Sequence, residues 1–175
     1  MRIGPESAVT RRRIILKWSL LAVALLFALA LDLVTKSLAE HHLALGETHQ
    51  ITSFFSLQRT VNSGVAFGML RGGGTLIIVA NIIAILIVLF YVVLERRPFL
   101  GGISGGLIIG GSLGNLVQRL SAEGQVTDFI KLPHWPNFNM ADVFLVVGIA
   151  AVLLGLIAET VRVWKAGRRE TPAAH

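Results

Sequence analysis

Seven polar residues stand out against an otherwise apolar chain: Asp32 and Lys36, Asn115 and Arg119, Asp128, Asn139 and Asp142. Two carboxylates brought together can share one proton, because like charges at close range do not both ionise cheaply. Such a pair holds and activates a water. The ionised member accepts the water's proton, while the protonated member polarises a carbonyl and assists departure of an amine. Two aspartates are by themselves a weak signal, and most of these residues have a structural reading as well. Asp32 and Lys36 have the i,i+4 spacing of a helical ion pair, which alone reads as a solvated contact. Asn139 and Asp142, three residues apart before an apolar run, can cap a helix start, a role compatible with catalysis. Asp128, flanked by Thr127 and Phe129 in a strand-like run, has no such structural role.

Other chemistries find less support. With no cysteine there is no thiolate nucleophile or disulfide. His41 and His42 are adjacent and point apart on a helix, and His49 and His134 lack a ligand motif, so no metal site is expected. A Ser–Lys protease would use Ser63 with Lys36 or Lys131 as base, but serine is common in turns for backbone reasons. An ion or proton carrier would need acidic groups at mid-depth in the later apolar runs, and there are none. A purely structural scaffold leaves Asp128 unexplained.

The elements that must position these residues are membrane helices. A chain of 175 residues with 54% hydrophobic content and mean hydropathy +0.71 is too apolar for an ordinary soluble domain. The net charge of +6 does not form one basic face, so no nucleic-acid partner is expected. Four stretches, 14–38, 75–94, 100–116 and 143–163, approach the roughly 20 residues that a bilayer core needs. They predict an all-α integral membrane protein with a single domain. The third stretch is the shortest and richest in glycine, and Gly102, Gly106, Gly110 and Gly114 repeat every four residues to give a smooth face for another helix.

Eleven of the sixteen Lys and Arg residues lie in the N-terminal segment, the second connector and the C-terminal segment. The excess predicts cytoplasmic tails at 1–13 and 164–175 and outward connectors at 39–74 and 117–142. All seven polar residues then fall at the outer membrane interface. A cleavable signal peptide ending at Ala28-Leu29-Ala30 is the competing reading of the first stretch, but its apolar periodicity continues to Leu38. The stretches 51–61 and 125–132 read as short strands, together a small extracytoplasmic β platform. Residues 54–67 are expected to form a flexible cover with Asn62 and Gly64 in its turn, and residues 1–10 and 167–175 to be disordered ends.

At this point five boxes in order resemble those of the bacterial lipoprotein signal peptidases, the type II signal peptidases. Asp32-Leu33-Val34-Thr35-Lys36 is similar to D-x-x-T-K, and Asn62-Ser63-Gly64-Val65-Ala66-Phe67 to N-x-G-x-A-F. Residues 110–119, GGSLGNLVQR, resemble G-G-x-x-G-N-x-x-D-R, with Gln118 where Asp is frequent. Val126-Thr127-Asp128-Phe129 matches V-x-D-F, and Phe138-Asn139-Met140-Ala141-Asp142 matches F-N-x-A-D. The resemblance implies a catalytic pair of Asp128 and Asp142. It implies support from Asp32, Lys36, Asn62, Gly64, Asn115, Arg119 and Asn139. It also implies an enzyme of the bacterial inner membrane without metal or organic cofactor; a monomer is expected. Its substrates would be diacylglyceryl-modified prolipoproteins, cut just before the lipidated cysteine.

Overall fold

The computed structural model describes residues 5–64 and 73–170. It contains four long helices and three short strands in the order α1 (Pro5–His42), β1 (Thr48–Gln50), β2 (Ser56–Asn62), α2 (Gly73–Leu94), α3 (Gly105–Ser121), β3 (Val126–Lys131) and α4 (Met140–Glu170). A π-helical turn, Leu100–Ser104, leads into α3. All four helices are long and apolar enough to cross a membrane.

The helix with the lowest mean hydropathy is the central one. In the apolar window of α3, 72% of residues are buried, against 17%, 6% and 17% for α1, α2 and α4. A helix surrounded by other helices does not meet lipid, so small residues replace large apolar ones along it. The four-residue glycine repeat packs on α1. A Cβ at Gly102 would lie 2.6 Å from the Lys17 carbonyl oxygen, one at Gly106 2.5 Å from that of Leu21, and one at Gly110 2.6 Å from that of Leu25. Gly105 turns the same closeness toward Val92 of α2, and Gly111 toward the Ala141 carbonyl of α4 at 2.6 Å. Three helices therefore approach α3 where it lacks side chains.

At one end of the bundle lies an antiparallel sheet in the order β1-β2-β3. Its register pairs Thr48 with Gln58, Thr60 with Asp128 and Asn62 with Val126. Between Leu57 and Thr60 a bulge sets Gln58 and Arg59 against Phe129. Arg59 Nη1 donates to the carbonyls of Glu40 and Leu43, both at 3.2 Å, capping the C-terminus of α1 with a cation. Phe129 packs with Ala39 and Leu43, which seats the sheet on α1.

Several expectations need correction. Residues 5–10 and 167–170 continue α1 and α4 as helix instead of forming disordered ends. The first strand lies at 48–50, ahead of the apolar stretch that suggested it, and Thr52 turns the chain by accepting from Phe55 N at 3.0 Å. The expected flexible cover is a hydrogen-bonded strand over Ser56–Asn62, the middle strand of the sheet; its remainder at 65–67, like the Val65-Ala66-Phe67 half of its box, lies outside the described residues. Because α1 backbone lies where a Cβ at Gly106 would project, Gly106→Ala should lower the thermal midpoint and folded yield, a cost of about 1–3 kcal/mol for overpacking. Gly167→Ala, with nothing within 4 Å of its added carbon, should leave both unchanged in size-exclusion and melting assays.

Candidate active site

The start of α4 organises the polar residues. The first amides of a helix have no intrahelical acceptor. Here Asp142 Oδ2 accepts from Asn139 N at 3.1 Å and Asn139 Oδ1 accepts from Asp142 N at 3.2 Å, a reciprocal cap. A third amide, Ala141 N, donates to Asp32 Oδ1 on α1 at 2.8 Å. Strand β3 fixes the approach to this cap, since Phe129 N and Ile130 N both donate to the Phe138 carbonyl, at 3.0 and 2.8 Å. Asn139 thereby arrives beside Asp128.

Asp32 and Lys36 are not the solvated pair their spacing suggested. Their side chains are 0% and 3% exposed, with Lys36 Nζ 2.7 Å from Asp32 Oδ2. Gly114 of α3 lies against the Asp32 carboxylate, where any Cβ would collide. Lys36 Nζ also donates to Asn115 Oδ1 at 2.8 Å. From there the network runs to both remaining aspartates. Asn115 Nδ2 donates to Asp142 Oδ1 at 3.0 Å. Asn139 Nδ2 donates to Asn115 Oδ1 at 3.2 Å and to Asp128 Oδ1 at 2.6 Å. Asn62 Nδ2 completes the set on Asp128 Oδ2 at 2.9 Å, and its own Oδ1 accepts from Gly64 N at 2.7 Å. Gly64 has φ +69°, a left-handed conformation suited to glycine.

Asp128 is 2% exposed. Burial pushes its carboxyl up to about 6, and the charge of Asp142 adds to the rise, against hydrogen bonds from Asn62 and Asn139 and the charge of Lys36. Arg119 stands within electrostatic reach of both Asp142 and Asp128, with its Nε buried and without a hydrogen-bond partner. Beside Asp142, a cavity of about 490 Å³ opens under the 135–138 segment, walled by Trp135, Pro136, Phe138, Val143 and Val146. Its wall is apolar apart from Asp142 and Asn137.

All nine residues singled out in the sequence thus gather at one end of the bundle. Neither lysine of the Ser–Lys alternative is directed at Ser63: Lys36 is held by Asp32 and Asn115, and Lys131 donates to Gln58 at 2.8 Å. Among the described residues no group of three or more His, Asp or Glu is placed to hold a metal.

Sequence reasoning missed Glu40. Its Oε1 accepts from Gln118 Nε2 at 2.6 Å and from Thr127 Oγ1 at 2.5 Å, while Gln118 Oε1 accepts from Thr127 N at 2.9 Å. This knot ties α1 and α3 to the residue preceding Asp128. A signal was present, since Asp32, Lys36 and Glu40 follow at four-residue steps and so share one face of α1. It also accounts for Gln118: an amide can donate to Glu40, whereas a carboxylate there would repel it.

Fold and site together define a multi-pass membrane protein with a buried polar centre at one end of its bundle. The family model for "Signal peptidase (SPase) II" matches residues 24–158. The lipoprotein signal peptidase of Symbiobacterium thermophilum is 38% identical over 143 residues, 77% of this chain and 92% of that protein. That of Mesorhizobium japonicum is 39% identical over 144 residues, 78% of this chain and 84% of its own. A solved bacterial membrane enzyme, determined by the in meso method at 1.9 Å, superposes with a TM-score of 0.72 at 25% identity, covering 78% of this chain and 91% of its own. The chain belongs to the signal peptidase II family.

Two predictions follow from this geometry. Gln118→Glu should destabilise the protein by about 1–3 kcal/mol, the range for a buried polar group that loses its partner. The exchange Glu40→Gln/Gln118→Glu restores the donor–acceptor match between these two side chains, though not the second bond that Glu40 Oε1 takes from Thr127, and should recover part of that loss in detergent melts. The second concerns Asp128, whose carboxyl binds its proton more tightly in the folded state, about 6 against an ordinary 3.8. Between these values the folded protein holds a proton that the unfolded chain has lost, so stability falls as pH rises through this window and the penalty is complete above it. Two units correspond to about 3 kcal/mol, and Asn at this position forfeits one of the two accepted hydrogen bonds, leaving a gain on the order of 1–2 kcal/mol. Asp128→Asn should therefore melt higher than wild type at about pH 7.5 and lose that advantage near pH 4.

Proposed function

We propose that this membrane enzyme removes the signal peptide from diacylglyceryl-modified prolipoproteins by aspartic catalysis at Asp128 and Asp142. One observation carries the catalytic reading: a hydrogen-bonded path joins the two carboxylates, from Asp128 through Asn139 and Asn115 to Asp142. Asp128, its carboxyl raised to about 6 by burial, is the member assigned the pair's proton. Asp142, whose two oxygens accept N–H groups from Asn115 and Asn139, is assigned the role of base.

In the reaction, Asp142 takes a proton from water as the water oxygen bonds to the scissile carbonyl carbon, and Asp128 gives its proton to the carbonyl oxygen. The tetrahedral intermediate then collapses. The C–N bond breaks, the leaving nitrogen takes the proton from Asp142, and Asp128 recovers its own from the hydroxyl. Arg119, within electrostatic reach of both carboxylates, is assigned the role of steadying the substrate's peptide carbonyls.

The substrate explains the site's position at a bundle end. A lipidated cysteine keeps its acyl chains in the bilayer and its peptide at the interface, so a polar centre at the end of the helices meets the peptide without extracting the lipid. The apolar cavity beside Asp142 suits an apolar portion of that substrate. Charge supports an outward-facing site with both termini in the cytoplasm, since Arg2, Arg11, Arg12, Arg13, Lys17, Arg96, Arg97, Arg162, Lys165, Arg168 and Arg169 lie away from it along the chain. One chain supplies every residue of the network, so a monomer suffices.

Purified protein in mixed micelles should shorten a diacylglyceryl-modified precursor and leave the unmodified precursor intact. Asp128→Asn and Asp142→Asn should each abolish cleavage with folding retained, and the double variant should be no worse, because the two act as a unit. Activity should fall at low pH, when both carboxyls are protonated, and at high pH, when the shared proton is lost. Substantial cleavage by either folded Asn variant would remove that residue from the mechanism.

A further inference from the structure

The end of the bundle remote from Asp128 carries a second polar cavity. Helix α2 begins beside the site, where Ile77 lies against Gly64, and ends seventeen residues later at Leu94, about 26 Å away at 1.5 Å per residue. There a cavity of about 420 Å³ opens between α1 and α2, lined by Thr10, Arg13, Ile14, Lys17, Val93, Glu95 and Arg96.

The charges in its wall are unequally used. Lys17 is 8% exposed and donates to the carbonyls of Val92 at 2.8 Å and Glu95 at 3.0 Å, a cation set against the negative end of α2. The Glu95 carboxylate is matched from outside the cavity by Arg97, whose N and Nε donate to Oε1 at 2.8 and 2.9 Å and whose Nη2 donates to Oε2 at 2.8 Å. That leaves Arg13 and Arg96. Both are exposed, and neither has an ion pair among the described residues. The lip of the same cavity is apolar, formed by Ile14 and Val93, which are 50% and 57% exposed on membrane helices.

We propose that this cavity binds one anionic phospholipid, its phosphate held by Arg13 and Arg96 and the start of its acyl chains lying on Ile14 and Val93. Guanidinium groups match phosphate oxygens in a forked geometry, and basic pockets between helix ends at the bilayer surface suit anionic headgroups. A zwitterionic lipid brings an ammonium group to the two arginines. Inorganic phosphate satisfies the arginines but leaves the apolar lip uncovered. The proposal requires only that the protein is embedded in a bilayer, and it stands apart from the assignment of Asp128 and Asp142.

The test is native mass spectrometry of the full chain recovered from phosphatidylcholine vesicles containing a minority of phosphatidylglycerol. Wild type should retain one phosphatidylglycerol per chain in preference to phosphatidylcholine. Arg13→Ala/Arg96→Ala should lower that occupancy about tenfold, equivalent to 1.4 kcal/mol, while its helical circular dichroism stays unchanged. Arg11→Ala/Arg12→Ala removes the same net charge, beside Arg13 on α1 but outside the cavity, and should keep the lipid. Three results would overturn the proposal: equal retention of phosphatidylcholine by wild type, equal loss in the Arg11/Arg12 variant, or displacement of the lipid by millimolar inorganic phosphate.

Discussion

A carboxylate with no exposure at the end of a membrane helix is the interaction on which the rest of this structure depends. Lipid offers no hydrogen bonds, so each polar group carried into it must find its partners within the protein. Asp32 finds them on two helices and is packed against a third. Its oxygens accept from Lys36 of its own helix and from the first turn of α4, and its flank rests on Gly114 of α3. Removing one partner of a buried pair costs about 3–5 kcal/mol because the other charge is left uncompensated. The pair therefore acts as a register: α4 can start in only one place relative to α1, and that start is the Asn139–Asp142 cap. A buried ion pair adds little net stability on its own, so its value here lies in fixing the geometry on which the neighbouring carboxylates depend.

The same economy of space shapes α3. Bringing Asp32 against its backbone requires a position without a side chain at 114, and bringing α1 into contact along the membrane requires the same at 102, 106 and 110. Close approach then becomes the source of cohesion, because in lipid helices associate through packing and polar contacts more than through hydrophobic burial. The consequence reaches the active end. Asn115 and Gln118 emerge one turn beyond Gly111 and Gly114, so the depth at which α3 is buried decides where they meet Asp142 and Glu40.

Much of this was legible in the sequence because lipid imposes simple patterns. Long apolar runs marked the helices, and the rarity of polar residues within them marked the cluster. The glycine period at 102, 106, 110 and 114 identified a packed face before its partner was known. What stayed hidden was contact between distant segments. The i,i+4 spacing of Asp32 and Lys36 is the same for a solvated pair as for a buried one, and only the arrival of α4 distinguishes them. Glu40 was overlooked, since nothing local indicates that Thr127 and Gln118 would close on it. A strand within 51–61 was legible, but its pairing with β3 spans some seventy residues of sequence, so the same segment was also read as a flexible cover. The helical end at 5–10 was obscured by its proline and polar residues and that at 167–170 by glycine and charge, although a helix can run past the membrane with its polar residues in water.

Charge balance ties the buried centre to the chemistry proposed for it. Within the network around the aspartates, three carboxylates, Asp32, Asp128 and Asp142, stand against two cations, Lys36 and Arg119, while Glu40 and Arg59 at the same end add one charge of each sign. If all ionised, one negative charge would remain unmatched in a region largely closed to water, and such a charge is resolved by taking up a proton. Asp32 commits both oxygens to the bonds from Lys36 and Ala141 that set the helix register. Outside the spans, burial raises the carboxyl of Asp128 to about 6. In the proposed mechanism, the proton that hydrolysis needs would then come from how the fold distributes its charges, before any substrate enters.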